Sequence, residues 1–243
     1  MSPETETSPR VLVVQNDPDG GPRRLADWLT ADGLRLDVVH AYRDALPDGL
    51  DHDAIVVLGG GYLPDADDRA PWLKPTRALV RQALDDARPV LGICLGGQLL
   101  AHVGGGTVTG DVGAPENGST PITLRPKARG DRLFVDLPAR IPAIEHHVDA
   151  ITALPADAVW LAESPDCPYQ AFRLGACAWG VQFHPEITPE RVRDWDTDRL
   201  RRQGFDPDEV YAAAVIDEPE STPVWRRVAE RFAAVVSQSR RAT

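Results

Sequence analysis

The chain has 243 residues, 37 of them Asp or Glu and 26 Lys or Arg, giving a formal net charge of −11. Such a surface repels nucleic-acid phosphates and anionic bilayers, so neither nucleic acid nor membrane is an expected partner. No apolar run approaches the roughly 20 residues of a membrane helix, and the polar N-terminus lacks the apolar stretch of a secretion signal.

Residues 1–9 read as a floppy arm, and residues 10–243 as one domain with C-terminal helices. Val11–Val14 is a continuous apolar run, as a strand covered on both faces requires. Pro22–Thr30 follows with Leu25, Trp28 and Leu29 at helical spacing. Leu34–Val39 alternates, and Ile55–Leu58 is a second buried-type strand ending in Gly59-Gly60-Gly61. Pro75–Ala87 reads as a helix, Val90–Ile93 as a strand and Gln98–Val103 as a helix. Strands alternating with helices predict an α/β sheet, mostly parallel, with right-handed crossovers.

The second half is richer in strands and proline. Strands are expected at Pro121–Leu124, Leu133–Val135, Ala158–Glu163, Gln170–Arg173 and Ala178–Phe183. The last 55 or so residues look helical, and Val224, Val228, Phe232 and Val235/Val236 form a stripe for packing on the sheet. Arg191, Arg193, Arg199, Arg201 and Arg202 read as a solvated helix face paired with Asp194, Asp196 and Asp198.

Three cysteines with no close pairing argue against a disulfide scaffold or structural zinc and suit a reducing cytoplasm. One of them is distinctive. In Gly92-Ile93-Cys94-Leu95-Gly96-Gly97-Gln98 a buried strand runs into a cysteine between glycines, and a helix begins at once. This is a nucleophile elbow, G-x-C-x-G in place of G-x-S-x-G. The sharp turn strains the nucleophile's backbone and needs small neighbours, which Gly92 and Gly96 supply. The helix N-terminus favours an anionic sulfur, and the Leu95 amide faces the carbonyl oxygen under attack.

A cysteine nucleophile needs a base and a group to hold that base. His184 and Glu186, two apart at the end of an extended segment, project to one side with Pro185 stiffening the link. A carboxylate on one imidazole nitrogen fixes the tautomer and leaves the other for the thiol. His146 and His147 are adjacent on a strand and point apart, so they make a poor metal pair, and one of them lines a pocket instead. No metal or cofactor is called for.

The two segments together, Gly92–Gln98 and Val181-Gln182-Phe183-His184-Pro185-Glu186, resemble the signature pair of the class I (triad) glutamine amidotransferases. Leu58-Gly59-Gly60-Gly61 is similar to that family's glycine loop, although that loop usually reads Gly-Gly-Pro and here Gly61-Tyr62 follows. His147-x-Asp149 followed by Leu154-Pro155 resembles the subset related to the amidotransferase domain of GMP synthase. Glu116-Asn117-Gly118-Ser119 stands where relatives commonly carry Glu, an apolar residue, Gly and an aromatic. No Gly-rich nucleotide loop or synthetase domain is present in these residues, so a complete GMP synthase is not expected.

The resemblance implies a flavodoxin-like three-layer α/β sandwich and a Cys94–His184–Glu186 triad. It further implies oxyanion donors at the Gly60 and Leu95 amides, and a substrate pocket that includes Gln98 and His147. The implied activity is hydrolysis of the glutamine γ-amide through a Cys94 thioester, with ammonia passed to a separate synthetase or acceptor enzyme. Two alternatives stand beside it. One is a free-standing γ-glutamyl hydrolase or peptidase; the other is a non-catalytic flavodoxin-like binding or redox-regulatory module.

Overall fold

The computed structural model describes residues 8–241, so the expected arm lies, except for its last two residues, outside the described part. Chain order is β1 (Arg10–Gln15), α1 (Arg23–Ala31), β2 (Arg35–His40), β3 (Ala54–Val57), α2 (Leu73–Asp85), β4 (Val90–Ile93) and α3 (Leu95–Val103). Then come β5 (Thr107–Thr109), β6 (Glu116–Leu124), β7 (Arg140–His147), β8 (Ala150–Ala153), β9 (Val159–Glu163), β10 (Ala171–Leu174) and β11 (Ala178–Val181). Three helices follow, α4 (Pro189–Val192), α5 (Thr197–Arg202) and α6 (Pro207–Arg241).

Nine strands form one sheet in the order β2-β1-β3-β4-β11-β10-β9-β6-β7, while β5 and β8 form a small ribbon. The first five run parallel, and from β11 outward every pairing is antiparallel. In the parallel half the two-residue period sorts each strand's side chains between two cores. Val11, Val13, Val56 and Ile93 face one cluster with Leu25, Leu29, Trp225 and Phe232 of α1 and α6. Leu12, Val14, Ile55 and Val57 face the other, with Leu79, Val80 and Leu99 of α2 and α3. Strands buried on both faces therefore need the unbroken apolar runs seen in the sequence.

Helix α2 buries Leu73, Thr76, Leu79, Val80 and Ala83, the spacing of a single helical face. It begins two residues before the expected Pro75. Helix α3 begins at Leu95, three residues earlier than expected, because its first turn is the elbow itself. The α6 stripe does cover the sheet: Val228, Phe232, Val235 and Val236 are buried, and the Trp225 indole donates to the Pro142 carbonyl at 2.9 Å.

Leu133–Val135 is not a strand. Buried Asp131 accepts from the Leu133 and Phe134 amides and from the Trp179 indole, closing a turn that tucks Leu133 and Phe134 into the core. The apolar run was real, but a local side-chain cap decided its shape. No helix among the described residues is long and apolar enough to cross a membrane.

Candidate active site

Cys94 links β4 to α3 with φ 52° and ψ −111°, a left-handed backbone for a residue with a Cβ. Such a conformation costs on the order of 1–3 kcal/mol and persists where the surroundings enforce it. Enforcement comes from contact of backbone on backbone. A Cβ on Gly96 would lie 1.9 Å from the Val57 carbonyl oxygen, and one on Gly92 would lie 2.3 Å from the Gly96 oxygen. The start of α3 is thus wedged onto β3, and the thiol stands at the carboxyl ends of the parallel strands, 7% exposed.

His184 reaches the same point from the end of β11. Its amide donates to the Ile144 carbonyl at 2.8 Å, and Nδ1 donates to Glu186 Oε1 at 2.8 Å. The ring stands beside the Cys94 side chain, whose sulfur acts on it electrostatically. Gly59 is the floor beneath both: a Cβ there would sit 3.0 Å from His184 Cε1 and 3.5 Å from Cys94 Cβ. Burial would lower the His184 pKa, but the Glu186 charge and the Cys94 sulfur outweigh it and hold the imidazole well above its ordinary value.

The Pro185 carbonyl between the two side chains accepts from Arg24 Nε at 2.8 Å, and Arg24 pairs with Glu218 of α6 at 2.7 Å. The loop bearing His184 and Glu186 is therefore tied to both outer helices.

The glycine loop lies opposite. Asn16 at the end of β1 donates to the Leu58 carbonyl at 2.8 Å, and Gly60 packs so closely that a Cβ would meet Leu95 Cδ2 at 3.0 Å. The Gly60 backbone and the first turn of α3, whose initial amides have no intrahelical partner, thus meet beside Cys94. Gln98 is buried; its amide donates to the Asp149 carbonyl at 3.0 Å and to Gln182 Oε1 at 3.1 Å. Gln182 in turn donates to Cys94 Sγ at 3.6 Å.

His147 lines the same cavity, yet both ring nitrogens serve the protein. Nε2 bonds Glu116 at 3.0 Å and lies 3.2 Å from Glu145, and Nδ1 bonds the Asp149 carbonyl at 3.2 Å. Burial opposes its charge, but the two carboxylates prevail and raise its pKa to about 10. Burial raises Glu145, fully enclosed, to about 7. Glu116 also accepts from Ser164 at 2.6 Å and Gln170 at 2.8 Å. Glu116, His147 and Cys167 have ligand-type atoms within 4.8 Å of one another. With the imidazole and both Glu116 oxygens already bonded, that trio is a hydrogen-bonded core and not an open cation site.

His146 points the other way, as adjacent strand residues must. Its Nδ1 bonds Asn117 at 2.7 Å and its ring stacks on Trp195 with centroids 4.1 Å apart. Burial, then the positive charges of His184 and Arg199, push its pKa down to about 3. Both histidines, not one, line the cavity.

The cavity encloses about 550 Å³. It joins Cys94, Gly60, Gln98 and His184 to Arg191 and Arg199 on the α4–α5 segment. The sequence reading gave no role to Gln182 or Arg24. Gln182 was within reach of the sequence, standing two residues before His184 just past the end of β11; Arg24 carried no local signal.

A family model described as glutamine amidotransferase class-I matches residues 23–195, well over half of the chain. The chain belongs to the class I glutamine amidotransferase family. Its fold is that family's flavodoxin-like α/β sandwich. A glutamine amidotransferase from Thermotoga maritima superposes with a TM-score of 0.83 at 25% identity, covering 93% of this chain and 98% of that one. One from Methylobacillus flagellatus gives 0.77 at 26% identity, covering 96% and 95%. In sequence, a GMP synthase [glutamine-hydrolyzing] of Streptococcus pneumoniae is 43% identical over 102 residues, which is 41% of this chain and 19% of that protein. The match therefore spans about a fifth of the length of such relatives.

Proposed function

We propose that this amidotransferase-family protein hydrolyses the γ-amide of glutamine through a thioester on Cys94 and releases ammonia for a separate acceptor enzyme. The observation that carries the reading is the strained Cys94 set beside a His184 that Glu186 holds at 2.8 Å. In the proposed cycle His184 takes the thiol proton as Sγ attacks the amide carbon. The carbonyl oxygen becomes an oxyanion between the Gly60 and Leu95 amides, each such donor worth about 3–4 kcal/mol in the barrier. His184 then gives the proton to the departing amine. Water, deprotonated by the same imidazole, cleaves the thioester and frees glutamate.

The alternative that the same triad acts on γ-glutamyl amides or peptides draws support from the cavity. At about 550 Å³ it continues past Cys94 to the α4–α5 segment, within the size range of pockets that enclose drug-sized ligands, about 300–1,000 Å³.

The test is ammonia and glutamate release from glutamine, alongside amine release from γ-glutamyl amides. Wild type is expected to turn over at least one, and Cys94→Ala is expected to lose nearly all turnover. Equal rates for the two proteins would refute the proposed chemistry. Acceleration of glutamine hydrolysis by an added synthetase is the outcome expected for an ammonia donor; brisk, partner-independent cleavage of a γ-glutamyl peptide would favour the alternative.

A further inference from the structure

The far wall of the cavity is built by a part of the chain the triad does not need. Helices α4 and α5 carry their own small core, Ile187, Val192, Trp195 and Leu200 packed against Ile144 of β7 and Val210 of α6. This core fixes the segment over the mouth of the cavity. The basic side chains of the segment then divide by face. Arg201 pairs with Asp198 at 3.2 Å, Arg202 approaches Asp196 at 3.9 Å, and Arg193 stacks on Tyr211. Those three follow the solvated-face reading, and none lines the cavity.

Arg191 and Arg199 do line it. Arg191 reaches across the mouth, 3.3 Å from Asp194 and 3.6 Å from Asp19 of the β1–α1 loop. The Arg199 guanidinium has no ion pair and no side-chain hydrogen bond among the described residues. It also lies beyond the stretch that the family model matches.

The acidic side chains of the same wall each have a hydrogen-bond or ion-pair partner in the protein, though the amide-capped ones keep their charge. Asp194 and Asp19 flank Arg191, Asp196 caps α5 by accepting from the Asp198 and Arg199 amides, and Asp149 accepts from the Asp111 amide. Asp17 accepts from the Asp19 amide. Neutral His146 and Trp195 supply a flat stacked wall between these arginines and the triad. Arg23 also lines the cavity and donates to the Asp19 carbonyl. In a protein with a net charge of −11, Arg199 is thus the lining guanidinium left without an ion pair or side-chain hydrogen bond among the described residues. Arg191, held between Asp194 and Asp19, is on the same wall. A planar, permanently charged fork in that setting suits a carboxylate.

We propose that Arg199, with Arg191 beside it, forms a subsite that binds a carboxylate of the γ-glutamyl substrate and so selects for substrates that carry one there. The proposal rests on the γ-glutamyl chemistry argued above. The carboxylate has two possible sources, the α-carboxylate of the glutamyl group or the carboxylate of a departing amino acid.

Wild type, Arg199→Gln, Arg199→Lys, Arg191→Gln and the solvated-face control Arg201→Gln are compared on glutamine, γ-glutamylglycine, γ-glutamyl methylamide and 4-aminobutanamide, which lacks the α-carboxylate. Arg199→Gln is expected to lose about 10- to 100-fold in kcat/KM on substrates carrying the bound carboxylate, the range of a charge-assisted hydrogen bond. The loss is expected mainly in KM, with Arg199→Lys partly rescuing it and Arg201→Gln unchanged.

A loss confined to γ-glutamylglycine identifies the departing amino acid as the source. A loss shared by glutamine, γ-glutamylglycine and the methylamide, but absent for 4-aminobutanamide, identifies the α-carboxylate. An equal change on all four substrates, or none, overturns the proposal.

Binding of the same compounds to Cys94→Ala, with and without Arg199→Gln, is measured by calorimetry. That arm reads the subsite even if wild type hydrolyses none of them, an outcome that would defeat the proposed chemistry alone. Carboxylate-independent binding there would overturn the subsite.

Discussion

Three side chains converge on one point from two segments some ninety residues apart. Cys94 is set by the elbow, while His184 and Glu186 are set by the carboxyl end of the neighbouring strand β11. Both segments were legible because each is short and its rule is local: glycines around a forced turn, and an i, i+2 pair in extended chain. The partners that aim these residues were not legible. Arg24 holds the Pro185 carbonyl from 161 residues away, and Glu116 meets His147 across 31 residues. Only folding brings them together, and no local pattern announces it.

At this scale the carboxylate is the sharpest test of positioning. Glu186→Gln preserves shape but removes the charge that sustains a charged His184. The expected result is a loss of about 10²–10⁴ in kcat, the usual range for general acid–base assistance, with the circular dichroism spectrum little changed. Retention of wild-type kcat would show that Glu186 does not orient the base.

At the scale of elements, strands β1, β3 and β4 were readable because burial on both faces demands continuous Val, Ile and Leu. The short strands β5 and β8 were not, since Thr107–Thr109 and Ala150–Ala153 are too short for periodicity to register. Leu133–Val135 failed for the opposite reason: its apolar residues are buried by a turn that Asp131 caps.

The joint most exposed to substitution is α3 against β3. Gly96→Ala would place a methyl carbon 1.9 Å from the Val57 oxygen, on backbone that has no rotamer to yield. Destabilisation of about 3 kcal/mol or more is expected, in the range of severe steric strain, read as a fall in Tm or in urea midpoint. Gly61→Ala, which meets nothing within 4 Å, is the control and is expected to change neither by much. Equal stability of the two variants would remove the close-approach account of the elbow.

For the whole molecule, the parallel half of the sheet delivers the reactive groups to one edge, and the antiparallel half brings the β7–β8 turn and the α4–α5 segment over them. Buried charge links the halves. His147, raised to about 10, and His184, raised well above its ordinary value, hold protons that an unfolded chain releases near pH 6.5.

Their contribution to stability is complete below about pH 6.5. It declines as pH rises through the folded-state values, at about 1.4 kcal/mol per pH unit for each proton. Glu145, raised to about 7, acts in the same direction up to neutrality. Urea unfolding is therefore expected to show stability falling between pH 7 and pH 10. A rise over that interval would contradict the assignment of charge to the His147 network.

The central claim is that Cys94 is the nucleophile for a γ-glutamyl carbonyl, and covalent trapping tests it most directly. The chain carries three cysteines, all buried, and burial pushes the pKa values of Cys167 and Cys177 upward, which makes those thiols poor nucleophiles. Incubation with the glutamine analogue diazo-oxo-norleucine, followed by intact-mass analysis and peptide mapping, is expected to give a single adduct on Cys94 that excess glutamine or γ-glutamylglycine suppresses. No adduct, or label distributed over Cys167 and Cys177 with Cys94 untouched, would contradict the account.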